Sequence, residues 1–125
     1  MKKCFTSAPI LRHFDPELPC IVECHASDFV TGAILSQEVD GRLYPIAFYS
    51  REMNKHEINY GIHDKGLLAI KSSFREWRRY LEGARHKINV YTGHRGLEWF
   101  SNNKPLNRRQ AKWALELDGF DFVII

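Results

Sequence analysis

The chain has 125 residues, 44% of them hydrophobic and 13% aromatic, so it is long enough for one domain with a buried core and too apolar to be disordered. Its formal net charge of +3 permits a nucleic-acid partner without requiring one. No apolar run approaches the ~18–20 residues that span a membrane, and the two lysines at the start are not followed by the apolar stretch of a secretory signal peptide.

The cysteines indicate the redox environment. There are three of them, Cys4, Cys20 and Cys24. On a strand, Cys20 and Cys24 would be roughly 13 Å apart at about 3.3 Å per residue, which is too far for a disulfide. An odd number without a disulfide framework is typical of a reducing compartment, so we expect an intracellular protein, nuclear or cytoplasmic, that is not secreted.

The first half of the chain predicts an arm and three strands. Prolines in residues 1–19 indicate a short helical turn followed by an extended arm. Strands are predicted at 20–27, 31–39 and 43–51, and the Asp-Gly pair at 40–42 predicts a hairpin turn between the second and the third. Pro45 indicates that the third strand lies at an edge of the sheet.

The second half alternates helices and strands. A helix is predicted over about 55–83, ended by Gly83, because apolar residues recur three or four positions apart at Leu67, Ile70, Phe74, Trp77 and Leu81. A fourth strand, 87–93, should be parallel to the first because a helix connects them. Helices at 94–103 and 107–120 and a last strand at 121–125 complete an α/β order with a mixed sheet.

Several long motifs carry a family resemblance. The segments "FTSAPILRHFDPELP", "ASDFVTGAILSQ", "PIAFYSREMN", "NYGIHDKGLLAIKSSFREWRRYLEGARH", "VYTGHRGLEWF" and "LNRRQAKWALELDGFDF" resemble the ribonuclease H domain of gypsy-type LTR retrotransposon reverse transcriptases. The similarity covers essentially the whole chain, which is therefore expected to be a single domain, 1–125. It implies a ribonuclease H-like α/β fold, a five-stranded mixed sheet of order 3-2-1-4-5 flanked by helices.

The resemblance also implies a site. The family cleaves the RNA strand of RNA–DNA hybrids with two Mg²⁺ ions, which converging carboxylates hold. It places an Asp at the end of strand 1, a Glu in the long helix, an Asp at the end of strand 4 and a further Asp on a helix after strand 5. In this chain the first three positions hold His25, Gly66 and Gly93. We expect the last helix to be absent, because the sequence ends at Ile125. We therefore expect no metal and no Mg²⁺ cofactor.

Other acids do not replace the missing ones. Asp64 lies about 200° around the helix from position 66. Glu23 shares a strand face with His25 but lies about 6.6 Å along the strand. A zinc or manganese site built from His25, His63, His94 and Cys24 is an alternative, although Cys24 should face away from His25. The other interpretation of His25 is a hydrogen-bonded or partly exposed histidine in a cleft without activity.

Basic and aromatic residues offer possible contacts with nucleic acid. Phosphates could bind one cluster at Arg75, Arg78, Arg79, Arg85 and Lys87 and another at Arg108, Arg109 and Lys112, although solvated helix surfaces would look the same. Base stacking is conceivable for Phe74, Trp77, Trp99 and Trp113, but their spacing on apolar helix faces favours core packing.

Intact core motifs without the acids favour a domesticated, inactive ribonuclease H-like module that acts by binding. A protein partner or a homodimer is favoured over nucleic acid, and no membrane association is expected. The alternatives are a non-cutting nucleic-acid-binding pseudoenzyme with weak affinity for hybrids or duplexes, an active RNA–DNA hybrid ribonuclease fragment with unusual ligands, and a transposon remnant without function.

Overall fold

The computed structural model describes residues 11–92 and 108–125. The elements in chain order are β1 (Cys20–Ala26), β2 (Val30–Val39), β3 (Arg42–Glu52), α1 (Lys55–Ile58), α2 (Ile62–Glu76), α3 (Arg78–Leu81), β4 (Ile88–Thr92), α4 (Arg108–Leu117) and β5 (Phe122–Ile124). The predicted strands are confirmed to within about one residue at each end. The helix predicted at 94–103, the helical turn near the N-terminus and Trp99 lie outside the described residues.

The sheet has five strands in the order β3-β2-β1-β4-β5, as the resemblance implies. β1 runs antiparallel to β2 and parallel to β4, and β4 is parallel to β5. β3 forms an edge, where Pro45 is tolerated. The β2–β3 turn places Asp40 and Gly41 at φ 54° and 81°, which is the left-handed pair that a tight hairpin turn needs.

The single helix predicted over 55–83 is wrong, because this segment forms α1, α2 and α3. Asn54 caps α1 through a capping box with Glu57. Gly61 is extended (φ −65°, ψ 166°) and begins α2, and Trp77 (φ −108°, ψ 26°) separates α2 from α3. The apolar periodicity continues across these breaks and therefore hides them. Gly83, at φ 74°, ends the helical segment as predicted.

The core lies between one face of the sheet and the helices. Cys20, Val22 and Cys24 of β1 share a buried cluster with α2 and α4. The predicted core packing of the helix aromatics is confirmed, because Phe74, Trp77 and Trp113 are all buried. Such burial contributes roughly 1.5–3 kcal/mol for each large apolar side chain. Within the described part of the chain, no helix is long and apolar enough to cross a membrane.

Candidate functional site

His25 lies near the carboxyl end of β1 and faces away from the core. Cys24, its neighbour, points toward α2, where its Sγ lies 3.5 Å from the Oγ of Ser73. The exposed imidazole of His25 instead lies over Gly32, its partner on β2: a Cβ atom at Gly32 would be only 3.1 Å from Nε2. The two residues are therefore on opposite faces of the sheet, as strand alternation predicts, and cannot share a metal ion.

Gly66 lies in the first half of α2 and is buried. It is seven residues before Ser73, which corresponds to about two helical turns, so both residues lie on the face of α2 that looks toward the sheet. At position 66, α2 therefore presents only its backbone toward the sheet. It offers no carboxylate to a cation.

Asp64, the nearest acid along α2, is bound elsewhere. Its carboxylate accepts hydrogen bonds from Nη1 of Arg109 at 2.8 Å and from Nε2 of Gln110 at 2.7 Å. Asp64 is 7% exposed and Gln110 is 6% exposed. This buried link fastens the start of α4 to the start of α2, so the described contacts of Asp64 are structural. They agree with the expectation that Asp64 points away from position 66.

Gly93 lies outside the described residues, as do His94 and the side chain of His63. The parallel pairing of β1 and β4 can be followed up to Cys24 and Thr92, the residues that precede positions 25 and 93 in the sequence. The alternative metal site with these histidines therefore stays a prediction. Of its proposed ligands in the described part of the chain, His25 faces away from Cys24, and Cys24 is a poor ligand, because burial raises the pKa of its thiol to about 12 and keeps it protonated.

The residues present do not suit Mg²⁺. This ion prefers an octahedral set of oxygen ligands, whereas position 25 offers an imidazole and position 66 no side chain. Glu23 shares the exposed face with His25 and pairs across the sheet with Ile34 and Tyr91, so it supplies one carboxylate there. Among residues 11–92 and 108–125, no group of three or more His, Cys, Asp or Glu side chains could hold a metal ion.

The first predicted basic cluster is exposed and mostly paired. Arg78 lies 3.5 Å from Glu82, Arg85 lies 3.0 Å from Glu17 and Lys87 lies 2.6 Å from Asp121. Exposed pairs of this kind contribute roughly 0–1 kcal/mol, so a phosphate can compete for these cations. Arg79 stacks on its neighbour Tyr80 and lines a groove together with Arg85.

The second predicted cluster is divided between two roles. Arg108 and Lys112 are exposed on α4. Arg109 binds Asp64 and also stacks on the ring of Tyr60, with its guanidinium carbon 4.0 Å from the ring centroid. Its cation is therefore used within the fold, and phosphate would have to displace a partly buried ion pair.

Sequence reasoning missed a polar groove between β3 and α2. It has a volume of about 420 Å³ and is lined by residues that include Arg51, Glu57, Lys71 and Arg75. Burial, and then the nearby charge of Arg75, lowers the pKa of Lys71. The spacing of Lys71 and Arg75 along α2 predicts that they share one helical face. The sequence does not predict that Arg51 joins them in this groove, because that depends on how β3 packs beside the helix.

Comparison with known proteins places the chain among reverse transcriptase domains. The family model described as "RNase H-like domain found in reverse transcriptase" matches residues 15–120. The Transposon Tf2-3 polyprotein of Schizosaccharomyces pombe is 41% identical over 99% of this chain. The Tf2-4 polyprotein gives the same figures. In both cases the chain spans only 10% of the length of the relative.

Solved structures share the fold at low sequence identity. Prototype foamy virus protease-reverse transcriptase has a TM-score of 0.72 at 15% identity, covering 91% of this chain and 16% of that chain. A foamy viral protease-reverse transcriptase solved in complex with an RNA/DNA hybrid has a TM-score of 0.66 at 20% identity, covering 97% of this chain and 17% of that chain.

Proposed function

Because this chain belongs to the family of RNase H-like domains found in reverse transcriptases, we propose that it is a domesticated module that keeps the family fold and has lost hydrolysis. The observation that carries the proposal is that the described part of α2 offers no free carboxylate near position 66 as a metal ligand. Position 66 is a glycine, and the nearest acid along the helix, Asp64, is bonded to Arg109 and Gln110. Two-metal hydrolysis needs carboxylates that hold cations about 4 Å apart, and His25 and Gly66 supply none.

A hybrid-cleavage assay tests this proposal. We expect purified protein to leave an end-labelled RNA–DNA hybrid uncut in Mg²⁺ and in Mn²⁺. The matched control is the variant His25→Asp/Gly66→Glu/Gly93→Asp, which restores the acids that the family carries. Cleavage by the wild-type chain would contradict the proposal if three conditions hold. The activity must need the divalent cation, stop when EDTA is added, and co-purify with the protein.

The restored variant also has a readout that does not depend on activity. Converging carboxylates repel one another without a cation, so Mg²⁺ should raise its melting temperature and leave that of the wild type unchanged. If Mg²⁺ does not change the melting of the variant, the three positions do not share one cleft.

Binding is the role that remains, and a protein partner is favoured over nucleic acid. The described contacts of Arg109 support this preference, because its cation is held within the fold by Asp64 and Tyr60. The free, buried thiols of Cys20 and Cys24 fit a reducing intracellular compartment, either nucleus or cytoplasm.

Non-cutting binding of a hybrid is the second candidate, and the exposed pairs of Arg78, Arg85 and Lys87 favour it. A foamy viral relative of the same fold was solved in complex with an RNA/DNA hybrid. The test is an electrophoretic shift of a hybrid at low and at physiological salt. Weak binding with a steep salt dependence supports this candidate, and no shift at either salt excludes it.

A further inference from the structure

The groove between β3 and α2 is built from polar side chains. Its lining includes Tyr49 and Arg51 of β3, Glu57 of α1 and four residues from the second half of α2. We call it the β3–α2 groove. Its volume of about 420 Å³ is on the order of ten times the ~30 Å³ that one water molecule occupies in the liquid. The groove therefore has room for a small polyatomic ion with part of its hydration shell.

Lys71 is the cation of this groove that lacks a counter-ion. Arg51 is paired with Glu57, and Arg75 is paired with Glu116. Among the described residues, no carboxylate lies within ion-pairing distance of Lys71. The two guanidinium charges are therefore compensated by acids of the chain, whereas the ammonium charge of Lys71 is not.

The surroundings of Lys71 disfavour its charged form. Its ammonium group lies 5.3 Å from the ring centroid of Trp113, on the side of α2 that faces α4. Burial, and then the charge of Arg75, lowers the pKa of Lys71, and the charges of Glu116 and Glu57 act in the opposite direction without cancelling these effects. A negative charge beside Lys71 would offset both the desolvation and the repulsion.

Two hydroxyl groups in the groove are available as hydrogen-bond donors. Ser72 is 8% exposed, and its hydroxyl has no hydrogen-bond partner in the described part of the chain. A buried hydroxyl without an acceptor is unfavourable, so an incoming oxygen atom would be stabilised by accepting from it. Tyr49 accepts a hydrogen bond from Nε of Arg51 at 3.2 Å, which leaves its own O–H group free to donate to a ligand.

The acids around the groove limit which anion fits. The carboxylate of Glu57 already accepts hydrogen bonds from Arg51 and from the backbone N–H of Asn54. Glu76 is exposed and adds a negative charge to the lining, and Glu116 lies beside Arg75. A nucleic-acid backbone would bring a row of phosphates past these acids, and like charges oppose association. A single compact oxyanion needs only the place beside the ammonium group.

We propose that the β3–α2 groove binds one phosphate group, as inorganic phosphate or as a phosphomonoester, with Lys71 as its counter-charge. Arg75 lies one helical turn further along α2 and keeps donors besides the Nη2 that binds Glu116. The tetrahedral oxygens of a phosphate can then accept from the ammonium, guanidinium and hydroxyl groups at once. Lys71 is five residues beyond position 66, about 7.5 Å along the helix, so the proposal does not depend on the loss of hydrolysis.

Titration of the full chain with inorganic phosphate, followed by two-dimensional ¹H–¹⁵N NMR, tests the proposal. Sodium chloride keeps the ionic strength constant, so that screening does not change during the titration. We expect saturable shifts of the backbone amides of Lys71, Ser72 and Arg75, with a dissociation constant in the millimolar range or below. Methyl phosphate in the same titration distinguishes the two sources. Tighter binding of the ester identifies a phosphomonoester, and tighter binding of inorganic phosphate identifies the free ion.

Matched variants locate the site. Lys71→Met removes the charge and keeps an unbranched side chain beside Trp113, so it should weaken phosphate binding at least about tenfold. Ser72→Ala should weaken it less, because the lost donor is neutral. The control Lys112→Met removes an exposed charge of α4 that does not line the groove and should leave the affinity unchanged. Circular dichroism and thermal melting confirm that each variant is folded.

Three results would overturn the proposal. Shifts that grow with phosphate concentration without saturating would show that there is no site. Equal affinity in the wild type and in Lys71→Met would show that the groove is not where phosphate binds. An RNA–DNA hybrid that shifts the same amides at lower concentration than phosphate does would show that the ligand is not a small one. The hybrid-cleavage assay is independent of all three and alone decides whether hydrolysis is lost.

Discussion

The link between Asp64 and α4 gives the sharpest prediction, because it separates a structural carboxylate from a metal ligand. The Asp64→Ala variant removes two hydrogen bonds, of 2.8 and 2.7 Å, to a buried carboxylate. A hydrogen bond to a charged group contributes about 1.5–3 kcal/mol. Arg109 is 44% exposed and can be rehydrated, so its loss adds little.

We therefore expect Asp64→Ala to lower the free energy of unfolding by about 2 kcal/mol, which corresponds to a fall in melting temperature of roughly 6–10 °C for a domain of this size. Asp64→Asn keeps an oxygen acceptor and should lose about half as much. Urea denaturation of both variants and of Arg109→Ala measures these values, with Mg²⁺ absent and present.

A double-mutant cycle decides the interpretation. The variants Asp64→Ala and Arg109→Ala should be non-additive by about 0.5–1 kcal/mol, because they remove the same contact. Additive effects, or a loss below about 0.5 kcal/mol for Asp64→Ala, would refute the structural role. Stabilisation of the wild type by Mg²⁺ that disappears in Asp64→Asn would identify Asp64 as a metal ligand instead.

Three further predictions follow from single sites. Gly66→Ala should stabilise the chain by about 0.5–1 kcal/mol in thermal melts, because glycine is unfavourable within a helix and the family pattern has a larger side chain there. Burial, the largest single effect, would raise the pKa of Glu57, but the hydrogen bonds from Arg51 and from the backbone of Asn54, together with the charges of Arg51 and Lys71, outweigh it and the pKa is lowered. The stabilisation by Glu57 is then present above its ordinary pKa of 4.5 and is lost as pH falls below it, so the difference in urea stability between wild type and Glu57→Gln should shrink in acid. Arg78→Glu/Arg79→Glu should abolish any shift of an RNA–DNA hybrid at low salt; unchanged binding would show that these residues do not carry it.

The strands and the core were predictable because both depend on local patterns. Runs of β-branched and apolar residues and the Asp-Gly turn indicated the strands, and the spacing of Phe74 and Trp77 on one helical face identified the buried side chains. The same spacing concealed the breaks at Gly61 and Trp77, since an interrupted helix can keep its apolar stripe. Local periodicity indicates which side of a helix is buried, but it does not indicate where the helix ends.

The contacts that define the site were less accessible to sequence reasoning. Asp64 and Arg109 are 45 residues apart, so nothing local indicates that they meet. The position of the His25 ring over Gly32 depends on the register of β1 and β2. Helix geometry alone indicated that the side chain of Asp64 points away from that of position 66. The sequence could not indicate that Arg109 and Gln110 would bind the Asp64 carboxylate.

The two described replacements differ in what they do physically. Gly66 removes a carboxylate and leaves backbone, at a cost of about 0.5–1 kcal/mol in the helix. His25 removes a carboxylate and adds a ring that packs on Gly32 and stands two residues from Glu23 on an exposed face. A cleft without metal gains from losing either acid, because the mutual repulsion of its carboxylates is relieved. Only the change at position 25 also places a hydrogen-bond donor where the family pattern has an acid.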